Sequence, residues 1–258
     1  MKMWKQLSRW MYDRPLENGA LVPPGYKIEQ CFGRGGYGIV YLCKDVHSLE
    51  SYALKQLRPS KARKAKEMAR FREEVELLSK IQHKQIPGLI YHSITEERAF
   101  YVMQRVEGIN LEETLFIENQ TFTEREALMI FSELLKIVEY LHDRLIFHSD
   151  IRPPNMIVRG QEVFLIDFGL AKTVPPGDQE ELRLRTQDDF FDLGETLLFM
   201  LYSEFKGKTN KKKSWLEELT LKEETKRLIK RLLGIDPVYD QVETIRKELN
   251  AALQAVKQ

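Results

Sequence analysis

Apolar and polar positions alternate in short runs through the first hundred residues, and then the period changes to that of helices. Strands are predicted over 26–32, 37–44, 51–57, 90–95 and 99–104, each brief and rich in aromatic or β-branched residues. Between the third and fourth lies 60–82, where Phe71, Val75, Leu78 and Ile81 recur at helical spacing and the opposite face is charged. Beyond residue 111 helices dominate. Thr123 and Glu126 form a Thr-x-x-Glu capping box ahead of the stripe Leu128, Phe131, Leu135, Val138 and Leu141. Further helices are predicted over 187–203, 221–233 and 241–255. Two short strands, 156–158 and 163–166, flank a turn at Gly160. The expected architecture is α+β: a β-rich first half with one long helix, a mainly helical second half, and a cleft at their junction.

Composition narrows the picture. The chain has 258 residues, 43% hydrophobic and 31% charged, which suits a globular protein. Lys and Arg (40) nearly cancel Asp and Glu (39), so no global charge draws the chain to nucleic acid, and none is expected as a partner. Cys31 and Cys43 are too few for a disulfide framework and point to a reducing interior. There is no apolar run near the roughly 18 residues that cross a bilayer, and no signal-peptide pattern, so a cytoplasmic location is expected. The opening stretch places Met3, Trp4, Leu7, Trp10 and Met11 on one helical face. Being short, it fits packing on the upper lobe better than lying on a membrane, which is the weaker alternative. The basic run Lys206–Lys213 reads as a solvated loop, with docking of an acidic substrate as the sharper alternative. Its Gly207–Lys208–Thr209 is not a phosphate-binding P-loop, because Tyr202 stands where the upstream glycine is required.

Three signals carry chemistry. In the first, Gly33, Gly35 and Gly38 lie between two strands, a spacing that lets backbone amides approach a polyphosphate. Taken alone this is a glycine-rich hairpin. A dinucleotide fold would need a helix next, and Ile39–Leu42 continue as strand. In the second, Lys55 sits among apolar strand residues, where an unpaired ammonium is costly. Glu74 on the following helix is the partner whose register fits best, with Glu73 and Glu76 as competitors. The third is the strongest: FHSDIRPPNMIV followed by LIDFGLAK, with Asp150, Asn155 and Asp167 as polar nodes. A strand-turn-strand between them returns Asp167 to the end of the hairpin where Asn155 stands. Phosphoryl transfer needs such a set, one carboxylate to orient a hydroxyl and oxygen ligands for a phosphate-bridging Mg²⁺.

With these motifs the chain resembles the eukaryotic-like (Hanks-type) protein kinases, and among them compact bacterial Ser/Thr members, from about Tyr26 to the C-terminal helix. The resemblance implies an N-terminal extension over 1–25, an N-lobe over 26–106 and a C-lobe over 107–258. It implies ATP and Mg²⁺ as cofactors, with Mn²⁺ able to substitute, and a protein substrate carrying Ser or Thr. Nucleotide contacts would come from the loop Phe32, Gly33, Arg34, Gly35, Gly36, Tyr37 and Gly38. Val40, Ala53, Met103, Gln104, Val106 and Ile157 would surround adenine, and Lys55 with Glu74 would address the phosphates. Asp150, Lys55, Arg152 and Asn155 would be catalytic, and Asn155 and Asp167 would hold the metal. His148 resembles the family's structural histidine, and Asp189 the buried aspartate that steadies the catalytic loop.

Departures from the family pattern are specific. Ser149 replaces the arginine that pairs with a phosphorylated activation loop, which implies activity without that switch. Arg152 stands in place of lysine, keeping the charge in a planar fork. The segment from Asp167 to Asp189 is short and lacks Ala-Pro-Glu, and Asp240 replaces the arginine that would pair with that glutamate. Loss of both partners of an ion pair can be nearly neutral, so a trimmed substrate platform is expected. Thr173 and Thr186 are the candidate autophosphorylation positions. A small-molecule phosphotransferase and a non-catalytic scaffold are the rival readings; the filled nucleotide and metal positions weigh against the second.

Overall fold

The computed structural model describes residues 13–95, 98–207 and 213–257. Most of the amphipathic opening stretch and Lys208–Lys212 of the basic run lie outside the described residues. The chain divides into two units between Glu107 and Gly108.

The first unit is built on a six-stranded antiparallel sheet. In chain order the strands are β1 (Leu21–Val22), β2 (Tyr26–Arg34), β3 (Gly38–Asp45), β4 (Ser51–Leu57), β5 (Leu89–Ile94) and β6 (Ala99–Gln104), and in space they run β1-β2-β3-β4-β6-β5. Alternation of side chains gives the sheet two faces. One carries the buried cluster Ile28, Ile39, Tyr41, Cys43, Leu54, Phe100 and Val102, with Leu16, Ala20 and Val22 packed on it. Tyr41 is fully buried there; its hydroxyl donates to Gln56 Oε1 (3.0 Å) and accepts from the Leu16 amide (3.0 Å).

The single helix expected over 60–82 is two helices, α1 (Pro59–Ala62) and α2 (Ala65–Lys80), separated by Lys64 in an extended conformation. Burial explains the break. α1 buries no residue, whereas α2 buries Met68, Phe71, Glu74, Val75, Leu77 and Leu78, so packing holds only the second segment helical. Ile81 is buried as expected but stands just past the helix in extended geometry.

In the second unit, α3 (Leu111–Phe116) precedes α4 (Glu124–His142), which starts with the expected Thr123–Glu126 capping box. The stripe Leu128, Phe131, Leu135, Val138 and Leu141 is at most 2% exposed and forms the middle of the core. Two small antiparallel pairs follow: β7 (Ile146–Phe147) with β10 (Lys172–Thr173), and β8 (Met156–Arg159) with β9 (Glu162–Leu165). The long helix α5 (Gln179–Leu201) begins eight residues before the predicted position. Asp178 caps it by accepting from the Glu181 amide, acidic residues fill its first turn, and Arg185 bonds Glu181 one turn on. The unit closes with α6 (Trp215–Glu218), α7 (Glu223–Leu232) and α8 (Val242–Ala255). Near Asp240, Arg231 donates to the Pro237 carbonyl (2.8 Å) and pairs with Glu248, which also accepts from Tyr239 (2.7 Å). This local network braces the turn at Pro237–Asp240.

Gly194 lets α7 lie against α5. A Cβ there would fall 2.8 Å from Leu232 Cβ and 3.1 Å from Leu233 Cδ2, inside van der Waals contact. Gly194→Ala is expected to destabilise the chain by about 1–3 kcal/mol through overpacking. Urea unfolding checks this; an unchanged midpoint would mean that the two helices separate freely.

Candidate active site

Cross-strand register collects the first group of expected residues. Val40 pairs with Lys55, Lys55 with Tyr101, and Ala53 with Met103, so all of these share the sheet face opposite the Tyr41 cluster. Lys55 Nζ donates to Glu74 Oε1 at 2.7 Å, with both side chains at most 7% exposed. Tyr101 donates to the same oxygen at 2.8 Å. The competitors are excluded: Glu73 is exposed, and Glu76 is exposed and paired with Lys80. Burial makes the Lys55–Glu74 geometry matter, because removing one partner of a buried pair strands the other.

Glycine is required at Gly38, where a Cβ would lie 2.9 Å from the Gln56 carbonyl oxygen. Gly35 and Gly36 border open space, and Phe32, Gly33, Arg34 and Tyr37 are exposed around them. This turn leaves room for a bulky anion beside the backbone. At the end of β6, Gln104 accepts from the Gly88 amide (3.0 Å) through its side chain, and Val106 is half-buried.

In the second unit the segment 148–155 is held by one helix. Asp189 on α5 is fully buried; its carboxylate accepts from the His148 amide (3.1 Å) and the Ser149 amide (2.8 Å), and lies 2.8 Å from His142 Nε2. One turn on, Asp192 accepts from the Ile151 amide (3.0 Å), and Thr196 donates to the Ile151 carbonyl (3.2 Å). The backbone is therefore fixed on both sides of Asp150. Ser149 adopts φ 59°, a left-handed conformation unfavourable for serine that the surrounding bonds maintain. His148 is fully buried, and its ring packs edge-on against Phe168 at 4.7 Å. Burial pushes its pKa down against the opposing pull of Asp189, Asp167 and Asp150, so the ring stays neutral. The Ile166 backbone lies near, but neither ring nitrogen reaches hydrogen-bond geometry among the described residues.

Asn155 Nδ2 donates to the Asp150 carbonyl (3.0 Å) and to Asp150 Oδ2 (2.8 Å), and Arg152 Nη1 is 4.0 Å from Asp150 Oδ1. The β8–β9 register pairs Met156 with Leu165, and the Ile166 amide donates to the Asn155 carbonyl (2.9 Å). Asn155 and Asp167 consequently stand at the same end of the hairpin. Asp167 has φ 64° and accepts from the Gly169 amide (3.2 Å). Ile157 is buried, and a Cβ on Gly108 would sit 3.0 Å from its Cγ2. Among the described residues no three His, Cys, Asp or Glu side chains cluster as a complete metal cage. Asn155 and Asp167 offer hard oxygen donors that fit a Mg²⁺ ion whose shell is finished by phosphate and water, the usual arrangement for this ion.

Sequence reasoning missed Asp192, Thr196, His142 and Tyr101. Asp192 and Thr196 follow Asp189 at +3 and +7, a helical-face spacing that could have marked them. An open cavity of about 610 Å³ lies beside Asp150, bordered by Glu112, Arg152, Asp192, Glu195 and Tyr202.

A family model described as protein kinase domain matches residues 26–192. The chain is 56% identical over 252 residues to the probable serine/threonine-protein kinase YbdM of Bacillus subtilis, covering 98% of both proteins. It is 32% identical over 155 residues to the serine/threonine-protein kinase PknJ of Mycobacterium tuberculosis, covering 58% of this chain and 26% of PknJ. It is 31% identical over 153 residues to myosin light chain kinase A of Dictyostelium discoideum, with 58% and 51% covered. The chain belongs to the protein kinase family. Its fold is the α+β, two-lobed class of those enzymes, with the β-rich unit first and the helical unit second.

Within this kinase the segment after Asp167 is short because α5 starts at Gln179. Thr186 therefore lies inside a helix, not in a loop. Its backbone is committed to helical hydrogen bonds and it is half-buried, whereas Thr173 is exposed on β10.

Burial pushes Asp192 up to about 7, opposed by the Ile151 amide and reinforced by Asp189, Asp150 and Asp188. Because the folded pKa exceeds the ordinary value of 3.8, folding takes up a proton between them. The stability associated with the protonated form is full below that lower value and is lost as pH rises through about 7. Asp192→Asn keeps an acceptor for Ile151 and removes the charge. Relative to wild type, the variant should gain stability as pH rises from 3.8 to about 7 and keep that gain above it. A pH-independent difference in thermal midpoint would contradict the assignment.

Proposed function

We propose that this kinase transfers the γ-phosphoryl group of ATP to Ser or Thr hydroxyls of a protein, with Asp150 as the residue that orients the hydroxyl. The observation that carries the reading is the fixed Asp150 carboxylate, bonded by Asn155 at the hairpin end where Asp167 also stands. The hydroxyl oxygen would form its bond to the γ-phosphorus as the bond to the ADP oxygen breaks. Asp150 takes the hydroxyl proton, and Arg152 offsets charge on the moving phosphoryl. Lys55, oriented by Glu74, addresses phosphate oxygens, and the turn at 35–37 offers them amides. Val40, Ala53, Met103 and Ile157 supply apolar surface for adenine, and the backbone of Gln104 to Val106 its polar edge. Bound through Asn155 and Asp167, Mg²⁺, or Mn²⁺ in its place, would neutralise charge on bridging phosphate oxygens.

The open cavity beside Asp150 supports a macromolecular acceptor, since a protein segment has room to approach there. Ser149 in place of arginine supports activity that does not wait for phosphorylation of the segment between Asp167 and Asp189. A cytoplasmic setting agrees with Cys31 and Cys43 being free, and with burial raising the Cys43 thiol to about 12, where it is unreactive. Among the described residues no helix is long and apolar enough to cross a membrane.

Transfer of ³²P from labelled ATP to protein, measured beside transfer to a metabolite extract, tests the reading. Asp150→Asn should lower the rate on the order of 10²–10⁴-fold, the usual worth of a positioned base. Lys55→Met should lower it on the order of 10²–10³-fold, as loss of one charge-stabilising donor does. Undiminished labelling in both variants would refute these roles, and labelling of metabolites alone would replace the protein acceptor.

A further inference from the structure

We propose that Arg58 and Asp13 are positioning residues for the glycine turn, fixing which way the Gly35–Gly36 peptide faces and so how tightly the nucleotide's phosphates are held. The inference rests on the ATP reading above and goes beyond it to two side chains outside every motif quoted for the family. The turn at 35–37 is exposed, and the spaces beside Gly35 and Gly36 are open. A peptide between two glycines can flip at small steric cost, because both residues accept either sign of φ. In a trans peptide the Gly35 carbonyl and the Gly36 amide point in opposite directions. A flip would therefore exchange an N–H donor for a carbonyl oxygen on the side that meets an anion, turning attraction into repulsion.

Arg58 restrains that flip. Its Nε donates to the Gly35 carbonyl at 2.7 Å, and its own amide donates to the Tyr37 carbonyl at 3.2 Å. The guanidinium is oriented from behind by Asp13, whose Oδ2 lies 3.3 Å from Arg58 Nη1. Asp13 is itself only 7% exposed, and it accepts from the Ser60 amide (2.9 Å) and the Ser60 hydroxyl (2.8 Å). Burial acts to raise its pKa, and the Ser60 and Arg58 donors outweigh that, holding it below the ordinary value and keeping it charged. The far end of the turn is held by Tyr37, whose ring centroid lies 4.6 Å from Lys61 Nζ and 4.5 Å from Arg70 Cζ. A residue from ahead of the sheet thus reaches the phosphate-binding turn through the Arg58 fork.

The test is the dissociation constant of the full-length protein for MgATP and for adenosine, with the KM for ATP and kcat, in wild type, Arg58→Ala, Arg58→Lys, Asp13→Ala and the double alanine variant. Arg58→Ala should weaken MgATP binding and raise its KM about tenfold, the worth of one charge-assisted hydrogen bond, with kcat within about twofold. Adenosine, which has no phosphates, should bind all variants equally. Arg58→Lys should fall between, because an ammonium cannot make both contacts of the fork. Asp13→Ala should act in the same direction, and adding it to Arg58→Ala should change nothing further. Equal MgATP affinity across the set would overturn the proposal. So would parallel weakening of MgATP and adenosine, the mark of general loosening; if Arg58→Ala lowers the thermal midpoint severely, Arg58→Lys decides by the same comparison. A wild-type protein that binds neither ligand would overturn the ATP reading itself, and this proposal with it.

Discussion

A carboxylate buried in the middle of a helix has to be compensated, and the surroundings of Asp189 are arranged by that requirement. Leaving such a charge unpaired would cost several kcal/mol. Here two backbone amides, from His148 and Ser149, and the His142 ring surround it. The bonds that satisfy the aspartate are the same bonds that hold the segment leading into Asp150, including the left-handed Ser149. Asp192 and Thr196 repeat the arrangement on the other side, capturing the Ile151 peptide. The loop that carries the proposed base is thus a side branch of α5, and its precision is inherited from the helix and the core that α5 shares with α4. The hairpin of β8 and β9 then adds Asn155 and Asp167 at one end by simple strand register.

The first unit meets a different demand, a rigid lysine beside a movable glycine turn. Rigidity comes from the sheet, whose other face is closed by Tyr41, Ile28, Ile39 and Val102 and by the chain from Leu16 to Val22. Against that support Lys55 and Glu74 pair away from water, and Tyr101 holds the second partner. The glycine turn has no such core beneath it. Its restraint is polar and peripheral, through Arg58, Asp13 and the cations around Tyr37.

The later half of the segment between Asp167 and Asp189 is helical, because α5 begins at Gln179. That start is stabilised by the Asp178 cap and the acidic residues of the first turn. Near Asp240 the chain is held by the Arg231, Glu248 and Tyr239 network.

The two periods of the chain, the capping box of α4, the buried stripe and the three chemical motifs are legible without any structure, because all of these are local patterns of spacing. Helical phase in the sequence also favoured Glu74 as the partner of Lys55, with Glu73 and Glu76 as competitors. Only the tertiary structure decided among them, since burial on one face of α2 is a property of what packs there. The same holds for the break at Lys64, the early start of α5 and the placing of Thr186 within a helix. His142, Arg58 and Asp13 were illegible for a common reason: His142 meets Asp189, and Arg58 meets Asp13, across 45 or more residues of chain, and no periodicity encodes a contact between distant segments.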